Sequence, residues 1–168
     1  MPALCHEENR MAQNRRKQLR LEQYDYSNNG AYFVTVCTHQ KKELFGCVGE
    51  PSEVADKIRD IFEEVLSAYP RMQCPVSVVM PNHLHALLVI DKLDDDHDKT
   101  VAEFMRAFKS KSTVDYIRMV REGKAIPFDG KLWQRSYYDH IIRNEQDFRE
   151  VWSYIEENPL RWQLKRQR

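Results

Sequence analysis

Met80-Pro81-Asn82-His83-Leu84-His85-Ala86-Leu87-Leu88-Val89-Ile90 decides the fold. It joins a Pro-Asn turn to an apolar run that suits a buried strand and falls far short of a membrane span. Successive side chains in a strand alternate faces, so His83 and His85 point the same way. The opposite face carries Leu84, Ala86, Leu88 and Ile90, a continuous apolar surface that can pack against helices while the imidazoles look into a separate site. Two neutral imidazoles on one strand form a potential metal-binding edge. Taken alone they read first as two structural histidines with satisfied hydrogen bonds, because a site needs further convergent groups.

Working outward, Val76 to Met80 reads as a strand on the other side of the Pro81-Asn82 turn. Tyr32 to Thr38 follows the turn signal Asn28-Asn29-Gly30 and sets Tyr32, Val34 and Val36 against Phe33, Thr35 and Cys37. Leu44 to Val48 is expected as a further short strand. Pro51-Ser52 opens a helix whose Val54, Ile58, Ile61, Phe62, Val65 and Leu66 recur at helical spacing until Pro70. A second helix starts at Thr100, with Val101, Phe104, Met105 and Phe108 as its buried stripe and Arg106, Lys109, Lys111, Ser112 and Thr113 largely off it. Asp91 to Lys99 is an acidic loop that lacks the glycine and terminal glutamate of a calcium loop. After a loop from Gly123 to Gly130, Leu132 to Ile142 reads as the last strand, and Asn144 caps a helix expected to end near Asn158, before Pro159. This order predicts an α+β fold: a ferredoxin-like antiparallel sheet with helices on one face and an added C-terminal helix.

The chain has 168 residues, 42% of them hydrophobic, which suits one globular domain. The start, Met-Pro-Ala-Leu-Cys-His-Glu-Glu, has neither a basic region nor a long apolar one, so a cytoplasmic protein with no membrane partner is expected. Cys5, Cys37, Cys47 and Cys74 contain no Cys-x-x-Cys and signal neither a zinc knuckle nor a redox dithiol. The formal net charge of zero conceals asymmetry. Arg10, Arg15, Arg16, Lys17 and Arg20 lie near the start, and Arg161, Lys165, Arg166 and Arg168 close the chain. Acids gather in Glu50 to Glu64 and Asp91 to Asp98, so a basic face is compatible with the neutral total. The expected organisation is a basic arm over 1–24, one domain over 25–160 and a basic tail over 161–168.

In the last helix Phe148, Val151, Trp152 and Ile155 make the apolar stripe, and Tyr154 falls on its flank one turn before Asn158. Alone, these two are a rim tyrosine and a C-cap. Beside two histidines they acquire another meaning. A phenol is a weak nucleophile at its free pKa of about 10, and a phosphodiester is an anion to be neutralised, so covalent cleavage needs a tyrosine beside a metal.

The ordered motifs resemble those of REP-associated tyrosine transposases, a branch of the single-tyrosine HUH transposases. They are Arg15-Arg16-Lys17 before Asp25-Tyr26, Gly30-Ala31-Tyr32-Phe33-Val34-Thr35-Val36, Met80-Pro81-Asn82-His83-Leu84-His85, Trp133-Gln134-Arg135-Ser136-Tyr137-Tyr138-Asp139-His140-Ile141-Ile142-Arg143, and Tyr154-Ile155-Glu156-Glu157-Asn158-Pro159. The resemblance implies that Tyr154, on the C-terminal helix, attacks DNA and that His83, His85 and Asn158 hold a divalent metal, Mg²⁺ or Mn²⁺. The product would be a 5′-phosphotyrosine beside a free 3′ end on single-stranded DNA next to a REP-like hairpin.

DNA contacts are expected from Arg15, Arg16, Lys17, Arg20, Lys109, Lys111 and Arg135, with Trp133 or Tyr137 stacking on bases. Tyr137 and Tyr138 are rival nucleophiles, read as core and rim residues. His140 is read as a structural histidine, with support of the site as the alternative. A nucleoid-associated location follows from the DNA partner, and monomer and homodimer both remain open. Two other classes also remain: a non-catalytic nucleic-acid-binding module, whose Lys/Arg-Gly-Phe/Tyr signature is missing here, and a zinc or nickel binder without DNA chemistry.

Overall fold

The computed structural model describes residues 30–90 and 100–167. Its elements are β1 (Gly30–Cys37), a short 3-10 turn (His39–Lys41), α1 (Glu53–Ser67), β2 (Met72–Met80), β3 (His83–Ile90), α2 (Val101–Arg121), β4 (Tyr138–Ile142) and α3 (Glu145–Arg166). The strands pair antiparallel in the order β2-β3-β1-β4, the ferredoxin-like arrangement expected for the alternating pattern. Each helix begins at a polar cap. The Ser52 hydroxyl accepts from the Ala55 N–H, Thr100 and Glu103 form a reciprocal capping box, and Asn144 accepts from the Asp147 N–H.

The sheet separates two apolar clusters. Tyr32, Val34, Val36, Leu84, Ala86 and Leu88 face α1 and α2, meeting Ile58, Ile61, Phe62, Phe104, Met105 and Phe108 in the larger core. The other face carries Leu87 and Ile142, against which Val151 and Ile155 of α3 are packed. Among the described residues, α3 is the helix that covers the histidine face.

Three local expectations are corrected. Residues 44–48 form no strand: Leu44 and Phe45 plug the larger core, and their N–H groups both donate to the Pro81 carbonyl at 2.9 and 3.0 Å. The last strand begins at Tyr138 rather than Leu132. Before it, Leu132 and Trp133 turn into the core, and the Lys109 ammonium donates to three successive carbonyls, Gln134, Arg135 and Ser136, at 2.9, 3.3 and 3.1 Å. Residues 132–134 keep only an isolated antiparallel bridge, Thr38 to Trp133, before the turn that Lys109 holds.

The third correction concerns α3, which runs through Pro159 to Arg166 instead of ending at Asn158. Proline removes one helical hydrogen bond and disfavours helical geometry in the residue before it. Tertiary contacts overcome that cost. Trp162 is buried, Gln163 donates to the Val48 carbonyl at 3.3 Å, and one terminal nitrogen of Arg166 donates to both Glu43 carboxylate oxygens at 2.6 and 2.7 Å. Gly49, at φ 85°, adopts the left-handed turn that brings this loop to α3, and a Cβ there would displace the Gln163 amide from it. Arg161 to Arg166 are thus helical, the expected tail being folded over most of its length.

Candidate active site

His83 and His85 lie on the α3 side of β3, 5% and 0% exposed, with ring centroids 4.5 Å apart. Sheet register supplies their neighbours: Cys37 pairs with His83, and Thr35 pairs with both His85 and Tyr138. Thr35 Oγ1 lies 2.7 Å from His85 Nδ1. His83 Nδ1 lies 2.6 Å from Asn82 Oδ1. The Asn82 amide nitrogen donates to the Lys41 carbonyl at 3.2 Å, so its oxygen is the atom turned toward His83. A carbonyl oxygen can only accept, hence His83 Nδ1 carries the proton and Nε2 the lone pair. The Thr35 hydroxyl can accept from His85 in the same way. Both Nε2 atoms are buried inside the site.

The helix faces this pair with one edge. The Tyr154 ring lies 5.4 Å from the His85 ring, and the Trp162 ring lies 5.8 Å from the His83 ring. Asn158 stands midway between them at helical spacing and is 6% exposed, which puts it on the same buried edge of α3. Phe33 fills the wall beside them, 5.2 Å from His85 and 5.8 Å from Tyr154. Among the described residues no three His, Cys, Asp or Glu side chains gather as a metal-holding group. The available donor set is two imidazoles and an amide oxygen, which fits a divalent ion that keeps further positions for oxygen ligands. The structure thus brings together His83, His85, Asn158 and Tyr154.

The rival tyrosines part company. Tyr137 packs against the larger core with the Lys109 ammonium 5.7 Å from its ring centre, and burial, then the Asp139 charge, pushes its pKa up. Tyr138 shares the histidine face, with its ring 6.2 Å from Phe33. His140 is a brace: its Nε2 meets the Asp147 carboxylate at 2.8 and 3.1 Å, tying β4 to the first turn of α3.

Several expected DNA contacts are engaged within the protein. Trp133 is 4% exposed, sandwiched by Phe45 and Phe108, with its indole N–H on Ser112 at 2.9 Å. It is a core residue and offers no face to a base. Lys109 is occupied by the carbonyls before β4, and burial lowers its pKa. Lys111 bridges Glu64 and Asp115 at 3.2 and 3.3 Å, contacts that raise its pKa. Arg135 is exposed on the turn that Lys109 holds. Arg15, Arg16, Lys17 and Arg20, like the acidic loop over Asp91 to Lys99, lie outside the described residues.

Sequence reasoning missed the orienting roles of Thr35 and Asn82 and the presence of Trp162 and Arg161 beside the site. A polar residue on the histidine-side face of β1 was the visible sign for Thr35. Its partner depends on strand register, which local pattern does not give. Among the described residues no helix is long and apolar enough to cross a membrane.

Comparisons with known proteins place the chain in a family and support its fold. A Haemophilus influenzae protein of uncharacterized function is 28% identical over 169 residues, covering 88% of this chain and 90% of that protein. The REP-associated tyrosine transposase of Escherichia coli is 27% identical over 84 residues, 50% of this chain and 42% of that protein. A solved REP-associated tyrosine transposase bound to a REP hairpin superposes with a TM-score of 0.57 at 21% identity, covering 85% of this chain and 74% of that one. That likeness shows a shared fold. The family described as "Transposase IS200 like" matches residues 26–158, from the approach to β1 through the buried asparagine of α3, and the chain belongs to that transposase family.

Proposed function

We propose that this transposase cuts and rejoins single-stranded DNA beside a hairpin through a covalent bond to Tyr154. The observation that carries the reading is the single edge of α3 on which Tyr154 and Trp162 flank Asn158 directly over the His83–His85 pair. Tyr154 Oη attacks the scissile phosphorus, a P–O bond to tyrosine forms, and the bond to the 3′-oxygen breaks. The phenolic proton leaves to solvent, and the departing 3′-oxygen takes one up as the 3′-hydroxyl. Reversal by a 3′-hydroxyl reseals the strand, and the adduct conserves the bond energy, so no nucleotide cofactor is required.

His83 Nε2, His85 Nε2 and the Asn158 amide oxygen are the groups that would hold a divalent cation. Once bound there, it neutralises and polarises the phosphate. The imidazoles make Mn²⁺ comfortable and the amide suits Mg²⁺. Asn82 and Thr35 orient the two imidazoles, Phe33 packs against the ring of the phenol, and the sheet keeps the histidines rigid. Arg135 and the basic residues between Arg10 and Arg20 supply phosphate contacts, and a hairpin partner follows the complex seen for the structural relative.

The test incubates the protein and Mn²⁺ with a labelled single-stranded oligonucleotide carrying a palindrome from beside its own coding region. Intact protein is expected to give a denaturation-resistant adduct; Tyr154→Phe, which keeps the ring, none. An adduct in that variant would move the nucleophile elsewhere, with Tyr138 the next to be changed. Binding without any adduct would favour the non-catalytic module.

A further inference from the structure

From the placement of Arg161 we infer that its guanidinium is a second catalytic group, which holds the scissile phosphate above Tyr154. This rests on the reading of Tyr154 as nucleophile and adds a residue to it. The guanidinium carbon lies 5.7 Å from the centre of the Tyr154 ring. The two residues are seven apart, two helical turns, and fall roughly 20° from each other around α3. Asn158 sits between them in sequence, turned further toward the sheet and buried. One edge of α3 therefore carries Tyr154, Asn158 and Arg161 on successive turns, with the guanidinium against the tyrosine ring.

Arg161 is held ready rather than locked. Its Nε and one terminal nitrogen both donate to a single Glu157 oxygen, at 3.1 and 2.8 Å. Both side chains are about half exposed, 55% and 52%, so the pair adds little to stability and is cheap to exchange. A phosphodiester carries its charge on two non-bridging oxygens, the fork geometry that guanidinium recognises best. When a phosphate replaces the Glu157 carboxylate, the planar cation stays over the phenol and meets the charge that builds as the Tyr154 oxygen bonds to phosphorus.

Nothing in the local sequence marks this role, because Pro159 signals a helix end before Arg161. The continuation of α3, secured by Trp162, Gln163 and Arg166, is what carries the guanidinium back over the tyrosine.

The test compares intact protein with Arg161→Gln and Arg161→Lys, reading the single-turnover rate of adduct formation on the labelled hairpin oligonucleotide, its affinity, and thermal melting. Arg161→Gln is expected to slow adduct formation about 100-fold, the scale of losing one charge-stabilising donor. Melting should be unchanged and affinity only slightly weaker. Arg161→Lys should recover part of the rate, and millimolar guanidinium ion added to Arg161→Gln should recover part of it while leaving intact protein unaffected. An unchanged rate in Arg161→Gln, against a Tyr154-dependent adduct in intact protein, would overturn this inference alone. So would a loss that neither lysine nor guanidinium repairs, which would mark a structural role. Intact protein forming no Tyr154-dependent adduct would overturn the nucleophile reading and this inference with it.

Discussion

Thr35 shows how one hydroxyl decides what a histidine can do. With Oγ1 2.7 Å from His85 Nδ1 and both residues buried, the threonine fixes the rotation of the ring and can accept its Nδ1 proton, which leaves Nε2 for a ligand. Thr35→Val keeps the shape and the strand preference but removes that partner. It should weaken Mn²⁺ binding about 10- to 100-fold, as losses of orienting groups do. Titration calorimetry on the folded variant would measure it, and unchanged affinity would show that His85 is oriented by packing alone. Thr35 and His85 lie 50 positions apart, so no local window contains both. The histidines could be read from alternation; their orienting partners could not.

At the scale of elements, α3 carries the greatest departure from local expectation. Its interior proline forfeits a hydrogen bond to the Ile155 carbonyl, and such prolines cost about 3 kcal/mol relative to alanine. The buried Trp162 and the latch from Gln163 and Arg166 to residues 43–48 offset this. Pro159→Ala should therefore raise resistance to urea by about 1–3 kcal/mol with an unchanged denaturant slope. A fall in stability would instead show that the ring packs against something the helix needs. The short β4 teaches a related lesson. Leu132 to Tyr137 has the composition of a strand, yet its apolar members are drawn into the core and its carbonyls are held by Lys109.

Across the whole molecule, the sheet divides labour. α1 and α2 supply the main core, and α3 closes the site from the opposite side. The bulge between Gln73 and Val76 buries the Cys74 thiol, which donates to the Val76 carbonyl at 3.3 Å, and burial pushes its pKa from 9.0 up to about 11. Tyr116, donating to the Leu44 and Ile126 carbonyls at 3.2 and 2.9 Å, is pushed by burial from 10.0 up to about 12. In both, the neutral form is the one the fold favours. Their contribution is fully present below the unfolded pKa values and is lost as pH rises through the folded ones. Urea stability should hold to about pH 9 and then fall through about pH 11 to 12. Cys74→Ala should flatten the first part of that fall, and equal slopes in the two proteins would remove the thiol as a cause.

Sequence alone determined the elements whose signals are local. Alternation on Phe33, Thr35 and Cys37 and on His83 and His85 assigned the faces of β1 and β3. Ser52, Thr100 and Asn144 marked where helices begin, and the motifs around His83 and Tyr154 pointed to the family. Such signals survive because side-chain direction and capping depend only on near neighbours. Tertiary structure decided the rest. It set which hydroxyl meets His85, buried Trp133, occupied Lys109 and Lys111, and carried α3 past Pro159 to lay Arg161 over Tyr154. These outcomes depend on register and docking between distant segments, where a few buried contacts outweigh the local preference of a single residue.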